Sequence, residues 1–414
     1  MSWTRRDRPL WVRSANALGR GLEALGRTAA RLDEAWLLEE ASRRSGLSDF
    51  GDDRFREPLR LFVAALEHEA ELTPVGRRLA QRELLTLLTN RLEVEETYRR
   101  QPQIAEQTLE PPLFVTGTGR SGTSILHELL AQDPAHRVLL SWEALHPCPP
   151  PRRESYQSDP RIRRAEREVR LWERIAPSYR TMHENGARVP QECIYLTAHS
   201  FVSDLLSGMY AVPSYAAWLA RADLREAYRV HRRLLLLLQW HHHGERWVLK
   251  APSHLWALEP LLAIYPDARI VQTHRDPLAV VASMTSLMAT LLWMRSDRID
   301  PVALGKRTLR SIGYMLEQSL RVRDAGMISP QQICDVRYAD FLADPLASVA
   351  RVYAHFGLTL GAEAESRMRA YLAAKPKDRH GAHAWRLEDT GIDVASARER
   401  FARYRERFGI PSEV

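Results

Sequence analysis

The sequence predicts an α/β fold, a parallel sheet flanked by helices, with a helical region in front of it and a helical insertion within it. Three observations lead there. Short apolar runs at PLFVTG (112–117), RWVLK (246–250) and ARIVQTH (268–274) each pass through a brief loop into an amphipathic helix. Strands alternating with helices in this way pair in parallel. Residues 1–108 carry only the three-and-four spacing of helices, and about a hundred mostly helical residues, 147–244, separate the first unit from the second.

Taken in order, FREPLRLFVAALEHEAEL (55–72) and VGRRLAQRELLTLLTNRLEVEETYRR (75–100) place apolar residues on one helical face, which gives an N-terminal helical region over 1–108. The texture changes at Pro111-Pro112, where a second region, 109–414, begins with a buried strand, a glycine-rich turn and a helix. The proline-rich PCPPPRR opens the insertion, a natural place for an acceptor pocket or lid. Further strand–loop–helix units follow at 246–266 and 268–288, and QICDVRYADF (332–341) reads as a fourth strand leading into LASVARVYAHFG.

Composition narrows the function. With 414 residues and 45% apolar content, the chain has ample material for a large core. The three cysteines, Cys148, Cys193 and Cys334, are too scattered for a zinc site or a disulfide framework and fit a reducing compartment. Residues 1–32 carry seven arginines and no continuous apolar stretch, so they do not resemble a secretory signal. The longest strongly apolar run, 234–238, is far too short to span a bilayer, and the expectation is a cytoplasmic protein without a transmembrane segment. The net charge of +7 suits an anionic ligand. Nucleic acid is not expected as a partner, because basic and acidic residues alternate along stretches such as RIRRAEREVRLWER.

The chemistry concentrates after the first strand, at Gly117-Thr118-Gly119-Arg120-Ser121-Gly122-Thr123-Ser124. Glycines let backbone N–H groups converge on an anion, and the helix behind adds its own unpaired donors. The loop is P-loop-like, yet Thr123 stands where a nucleoside-triphosphate loop carries lysine. The cation sits inside the loop instead, at Arg120, whose planar fork can hold two oxygens. Arg275, ending the third strand, and Ser283, two turns along the next helix, can face the same crevice, where open α/β sheets place their ligands.

The string Gly119-Arg120-Ser121-Gly122-Thr123-Ser124 resembles the 5'-phosphosulfate loop of the sulfotransferases that use PAPS (3'-phosphoadenosine 5'-phosphosulfate), and the overall style is similar to the large bacterial branch of that family from about 111 to 411. The resemblance implies that these six residues hold the 5'-phosphosulfate, that Arg275 and Ser283 hold the 3'-phosphate, that Tyr338 in VRYAD lies beside the adenine, and that Arg379 belongs to a basic loop closing over the 3'-phosphate. Sulfuryl transfer needs a base for the acceptor and a cation for the leaving phosphate, with no obligatory metal. Lys250 and Arg120 are the cations. Glu143 and His254 are both candidates for the base, while His183 and Glu192 fall in the insertion where the acceptor would bind. The acceptor is a hydroxyl or amine of a small molecule, lipid or glycan, and the product 3',5'-ADP. The alternatives are a P-loop small-molecule kinase and a non-catalytic nucleotide-binding module.

Overall fold

The computed structural model describes residues 8–27, 30–375 and 387–414. Four helices come first: α1 (Leu10–Ala24), α2 (Glu34–Ser45), α3 (Arg56–His68) and α4 (Pro74–Arg100). Their ends follow local chemistry. The Asp33 side chain accepts from the Trp36 amide to start α2, and Gly46 at φ 71° ends it. Thr73 accepts from the Gly76 amide, with Pro74 at the first helical position of α4.

The sheet consists of β1 (Leu113–Gly117), β2 (His136–Val138), β3 (Arg246–Lys250), β4 (Arg269–His274) and β5 (Ile333–Arg337). All pairings are parallel and the order is β2-β3-β1-β4-β5, with Leu113 facing Val248 on one side and Arg269 on the other. Helix α5 (Thr123–Leu130) follows β1. Helix α6 (Ser141–Leu145) follows β2, and the insertion then contributes α7 (Pro160–Ile175), α8 (Ile194–Thr197), α9 (Asp204–Met209), α10 (Pro213–Leu219) and α11 (Arg225–Gln239). After β3 comes α12 (Leu258–Ile264), and after β4 come α13 (Pro277–Trp293) and α14 (Pro301–Asp324). The last helices are α15 (Tyr338–Ala343), α16 (Pro345–His355), α17 (Ala362–Ala374) and α18 (Val394–Phe408).

Side chains alternate across the sheet and so divide the core. Val115, Val248 and Val271 pack with Leu126 of α5, Val349 of α16 and Met368 of α17. Phe114, Leu249 and Ile270 face the other way, into one continuous cluster that takes in Leu88 of α4, Phe201 and Leu237 of α11. The N-terminal helices and the insertion therefore share their apolar core with one face of the sheet.

Two sequence expectations shift. The fourth strand stops at Arg337, and Tyr338 opens α15 rather than continuing the strand. The edge strand β2 was not expected: its three residues, HRV, are too few and too polar to register as an apolar run. Among the described residues no helix is long and apolar enough to cross a membrane.

Helix α4 is seated on the end of α13 through backbone contact. The Thr73 amide donates to the Arg295 carbonyl at 2.8 Å, and a Cβ on Gly76 would stand 2.0 Å from that same oxygen. Gly76→Ala is therefore expected to cost about 3 kcal/mol by overpacking, read as a lowered Tm. Gly21→Ala in α1, where nothing lies within 4 Å, serves as the control and is expected to leave Tm equal or slightly raised.

Candidate active site

In a parallel sheet all strands end at one edge, and here Gly117, Lys250, His274 and Arg337 end β1, β3, β4 and β5 together. The turn from β1 to α5 is possible only because Gly117, at φ 144°, has no side chain: a Cβ there would meet Thr273 Oγ1 at 2.2 Å. Ser121 Oγ donates to the Thr118 carbonyl at 2.5 Å and lies 2.6 Å from Thr273 Oγ1, fastening the loop to β4. Gly122, at φ 88°, lets Tyr338 approach, since a Cβ would stand 3.0 Å from its ring.

Arg120 is the unusual member of this loop. Its backbone is left-handed at φ 69°, a conformation that costs a non-glycine residue energy unless its surroundings impose it. The guanidinium donates from Nε to Ser283 Oγ at 3.1 Å and from Nη1 to the Met182 carbonyl at 2.7 Å. Neither partner is charged. Burial, and the positive charge of Arg275 beside it, both lower its pKa. Among the described residues Arg120 has no carboxylate partner.

Arg275 donates from Nη1 to the Arg120 carbonyl at 2.8 Å, and its guanidinium lies 4.4 Å from the centre of the Tyr338 ring. The rest of its fork is taken by Glu413, at 3.0 Å from Nε and 2.7 Å from Nη2. Arg120, Ser121, Gly122, Arg275, Ser283 and Tyr338, spread over more than two hundred positions of sequence, thus meet at one end of the sheet. Gly119 lies beside Met284, and Thr123 and Ser124 open α5. Lys250 Nζ is 3.2 Å from Ser124 Oγ and 2.6 Å from Glu192 Oε1, so the end of β3 reaches the same loop. Arg379 falls outside the described residues. Lys375, just before them, bonds Glu128 of α5 and Glu184 of the insertion, each at 2.5 Å.

The two expected bases fare differently from the cations. Glu143 is fully buried and closes the first turn of α6, where its Oε2 accepts from the Leu140 amide at 3.0 Å, Tyr156 Oη at 3.0 Å and Arg137 Nη1 at 3.1 Å, while Oε1 accepts from Arg137 Nη2. This fully buried carboxylate is committed to the Arg137 ion pair through both oxygens and is sealed from solvent, and so from an incoming acceptor. Its role is to anchor α6 to the edge strand β2. His254 is also sealed in the core: Nδ1 lies 2.7 Å from the Tyr228 hydroxyl, and the ring packs edge-on to Phe114 with centroids 5.0 Å apart. Burial, with His231 and Lys250 nearby, holds it well below the usual histidine range.

The insertion supplies other proton acceptors. His183 follows directly on Met182, whose carbonyl binds Arg120, and stacks on Tyr179 at 6.0 Å. Its Nδ1 is 2.8 Å from the Glu184 carbonyl, an oxygen that can only accept, so Nδ1 carries the proton and Nε2 keeps its lone pair. Burial and the Lys250 charge lower its pKa, leaving a neutral ring. Asp204, at the start of α9, retains partial contact with solvent although packed atoms enclose its carboxyl. Burial and the charge of Glu192 push it up from 3.8 to about 7, against a hydrogen bond from Ser253. Sequence reasoning passed over Asp204 and Glu413, because nothing local marks either one.

A cavity of about 110 Å³ lies between α4 and the insertion, lined by Leu79, Leu87, Leu171, Leu205 and Met209, with Arg82, Glu83, Glu168 and Gln191 among its polar walls. Among the described residues no group of three or more histidine, cysteine or acidic side chains could hold a metal.

The raised Asp204 carboxyl carries a stability signature. Its folded pKa exceeds the unfolded one, so its ionisation opposes folding increasingly as pH rises from about 4 to 7, and by a constant amount above that. Asp204→Asn removes the penalty. Its Tm should exceed that of the parent chain by roughly a few degrees at pH 8 and by clearly less at pH 5, in a scan of Tm against pH.

Residues 111–362 match the sulfotransferase family. The omega-hydroxy-beta-dihydromenaquinone-9 sulfotransferase Stf3 of Mycobacterium bovis is 25% identical over 294 residues, which cover 66% of this chain and 69% of that protein. Two solved structures superpose along nearly their whole length. Sulfotransferase STF1 from Mycobacterium tuberculosis H37Rv is 36% identical with a TM-score of 0.79, covering 89% of this chain and 98% of its own. Sulfotransferase STF9 from Mycobacterium avium is 31% identical with a TM-score of 0.83, covering 91% and 97%. A glycine loop gripping three converging cations, on a fold shared with these proteins at that identity, has one consistent reading: the chain belongs to the sulfotransferase family.

Proposed function

We propose that this protein moves the sulfuryl group of PAPS to a hydroxyl on an apolar, lipid-like acceptor, working in the cytoplasm. The observation that carries the donor reading is Arg120, a strained and partly buried arginine that has only neutral partners and a second arginine beside it. Two guanidinium groups held together in a semi-enclosed site repel one another unless an anion lies between them. A donor with phosphate groups at both its 5' and 3' positions answers that need twice, with the 5' group in the glycine loop and the 3' group on Arg275 and Ser283. Tyr338, already stacked under Arg275, offers the adenine a face. Three unbridged, buried cysteines accord with a reducing compartment.

In the transfer, the acceptor oxygen forms a bond to sulfur as the bond from sulfur to the 5'-phosphate oxygen breaks, and 3',5'-ADP departs. His183 Nε2 takes the acceptor's proton, its tautomer set by the Glu184 carbonyl. Lys250 and Arg120 neutralise the charge that gathers on the leaving phosphate. Glu192 pairs with the Lys250 ammonium at 2.6 Å and holds it against Ser124. The apolar cavity beside Gln191 suits a hydrocarbon chain whose hydroxyl end points toward Glu192 and His183, and a relative whose name specifies a hydroxylated menaquinone supports that class of acceptor.

A thermal-shift titration tests the donor. At a hundredfold excess over Kd, 3',5'-ADP should stabilise the chain by about 2.7 kcal/mol; Arg275→Ala should abolish the shift, and Glu413→Ala should strengthen binding by freeing the Arg275 fork. Stabilisation by ATP with magnesium but not by 3',5'-ADP would replace this reading with a kinase. For the base, His183→Ala should lower kcat for 3',5'-ADP release from PAPS, with hexadecan-1-ol in detergent as acceptor, by about 10²- to 10⁴-fold while leaving 3',5'-ADP binding intact. Because His183 is active when neutral and burial lowers its pKa, the parent rate should stay flat through neutral pH and fall only on acidification below the ordinary histidine range. A variant whose rate and pH profile match the parent's removes His183 from this role.

A further inference from the structure

Helix α1 is an amphipathic helix with only one face in use. Val12, Asn16 and Gly19 are buried against the start of α4, where Asn16 Oδ1 accepts from the Val75 amide at 3.0 Å and a Cβ on Gly19 would stand 2.3 Å from Pro74. The opposite face is apolar and open to solvent. Leu10 is 75% exposed, Trp11 45%, Leu18 68% and Leu25 76%, a group that includes the three most exposed large apolar side chains among the described residues. Spacings of seven and eight residues put them in a single stripe along the helix.

Arg13, Arg20 and Arg27 flank this stripe, and all three are exposed. Arg20 makes a 3.4 Å ion pair with Asp297, while Arg13 and Arg27 make none among the described residues. Glu23 is the helix's one acidic residue, and it lies on the azimuth of the buried face, four residues after Gly19. An apolar stripe with a tryptophan near one end and arginines alongside fits the boundary between acyl chains and anionic headgroups.

The position is as informative as the composition. Cavity-lining residues of α4 begin at Leu79, five residues or about 7 Å along the helix from the Pro74 that α1 covers. The same corner is tied together by Arg295, whose carbonyl holds Thr73 and whose side chain donates to Glu83 at 2.7 Å and lies 5.0 Å from the Trp172 ring, both cavity-lining residues. Arg8 adds a clasp, donating to the Ser296 carbonyl at 2.7 Å with its guanidinium 4.8 Å from the Trp293 ring. The unpartnered face is thus fixed rigidly beside the apolar cavity.

We propose that α1 docks this chain on an anionic lipid surface, with Leu10, Trp11, Leu18 and Leu25 entering the acyl boundary and Arg13, Arg20 and Arg27 meeting the headgroups, so that the cavity receives its acceptor from the membrane plane. A second copy of this chain fits the stripe less well. Four side chains fall short of the ~800 Å² per partner that a stable interface buries, and a symmetric pairing would bring the arginine rows of the two copies together. The proposal goes beyond the transfer reaction, since docking requires neither donor nor acceptor.

The test is cosedimentation of the full chain with vesicles of phosphatidylcholine containing about 30 mole per cent phosphatidylglycerol, beside vesicles of phosphatidylcholine alone, at low and high salt. The chain should pellet with the anionic vesicles at low salt. Binding should fall about tenfold or more with neutral vesicles, at high salt, in Leu18→Asp/Leu25→Asp and in Arg13→Gln/Arg27→Gln, while Tm and 3',5'-ADP binding match the parent. A chain that stays in the supernatant with anionic vesicles overturns the proposal, as do variants that pellet like the parent. So does a concentration-dependent dimer in sedimentation velocity that Leu18→Asp/Leu25→Asp dissolves, which would assign the stripe to a second copy.

Discussion

The close approach of β1 to β4 at Gly117 sets the geometry of everything around it. With Thr273 Oγ1 occupying the space a side chain would need, the chain leaves β1 in a conformation open only to glycine and turns at once into α5. That turn brings the loop and the N-terminus of α5 to the carboxyl end of the sheet. It also forces Arg120 into a left-handed backbone, so that its guanidinium is directed across the loop to Ser283 rather than out to solvent. The strain at Arg120 is sustained by the Arg275 bond to its carbonyl and the Met182 carbonyl on its side chain. One steric contact between neighbouring strands therefore propagates into the placement of two cations.

The insertion completes the charge balance of the site. Lys250 is nearly sealed from solvent, and a buried ammonium without a partner is costly, so Glu192 lies against it. Glu192 in turn raises the cost of ionising Asp204, and the three groups form a chain of dependence running from the strand end into the insertion. Arg275 resolves the same problem with Glu413 near the other end of the chain.

The sheet shares one apolar core with helices drawn from two separate stretches of sequence, and this is what creates the cavity. Helix α4 and the insertion face each other across it, joined by Arg82 donating to Glu168 at 2.6 Å and by the Tyr210 hydroxyl donating to Glu83 at 2.5 Å. Because α1 rides on the first turn of the same α4, the outer apolar stripe and the inner apolar space keep a fixed relation.

Much of this was determined by the sequence alone. The parallel sheet and the glycine loop with its internal arginine are readable because each depends on local chemistry: periodicity and a left-handed turn at a strand end. What only the tertiary structure decided are the partners. Glu143 looked like a base by its position after the loop helix, yet Arg137, six residues earlier on β2, consumes both of its oxygens. His254 looked like one by its spacing from Lys250, yet Tyr228 and Phe114 enclose it. The pairing of Lys250 with Glu192, of Arg275 with Glu413, and of α4 with the insertion joins residues 58 to more than a hundred positions apart. No one-dimensional pattern records such meetings, because what sets a carboxylate's role is the dielectric and the charges folded around it rather than its neighbours along the chain.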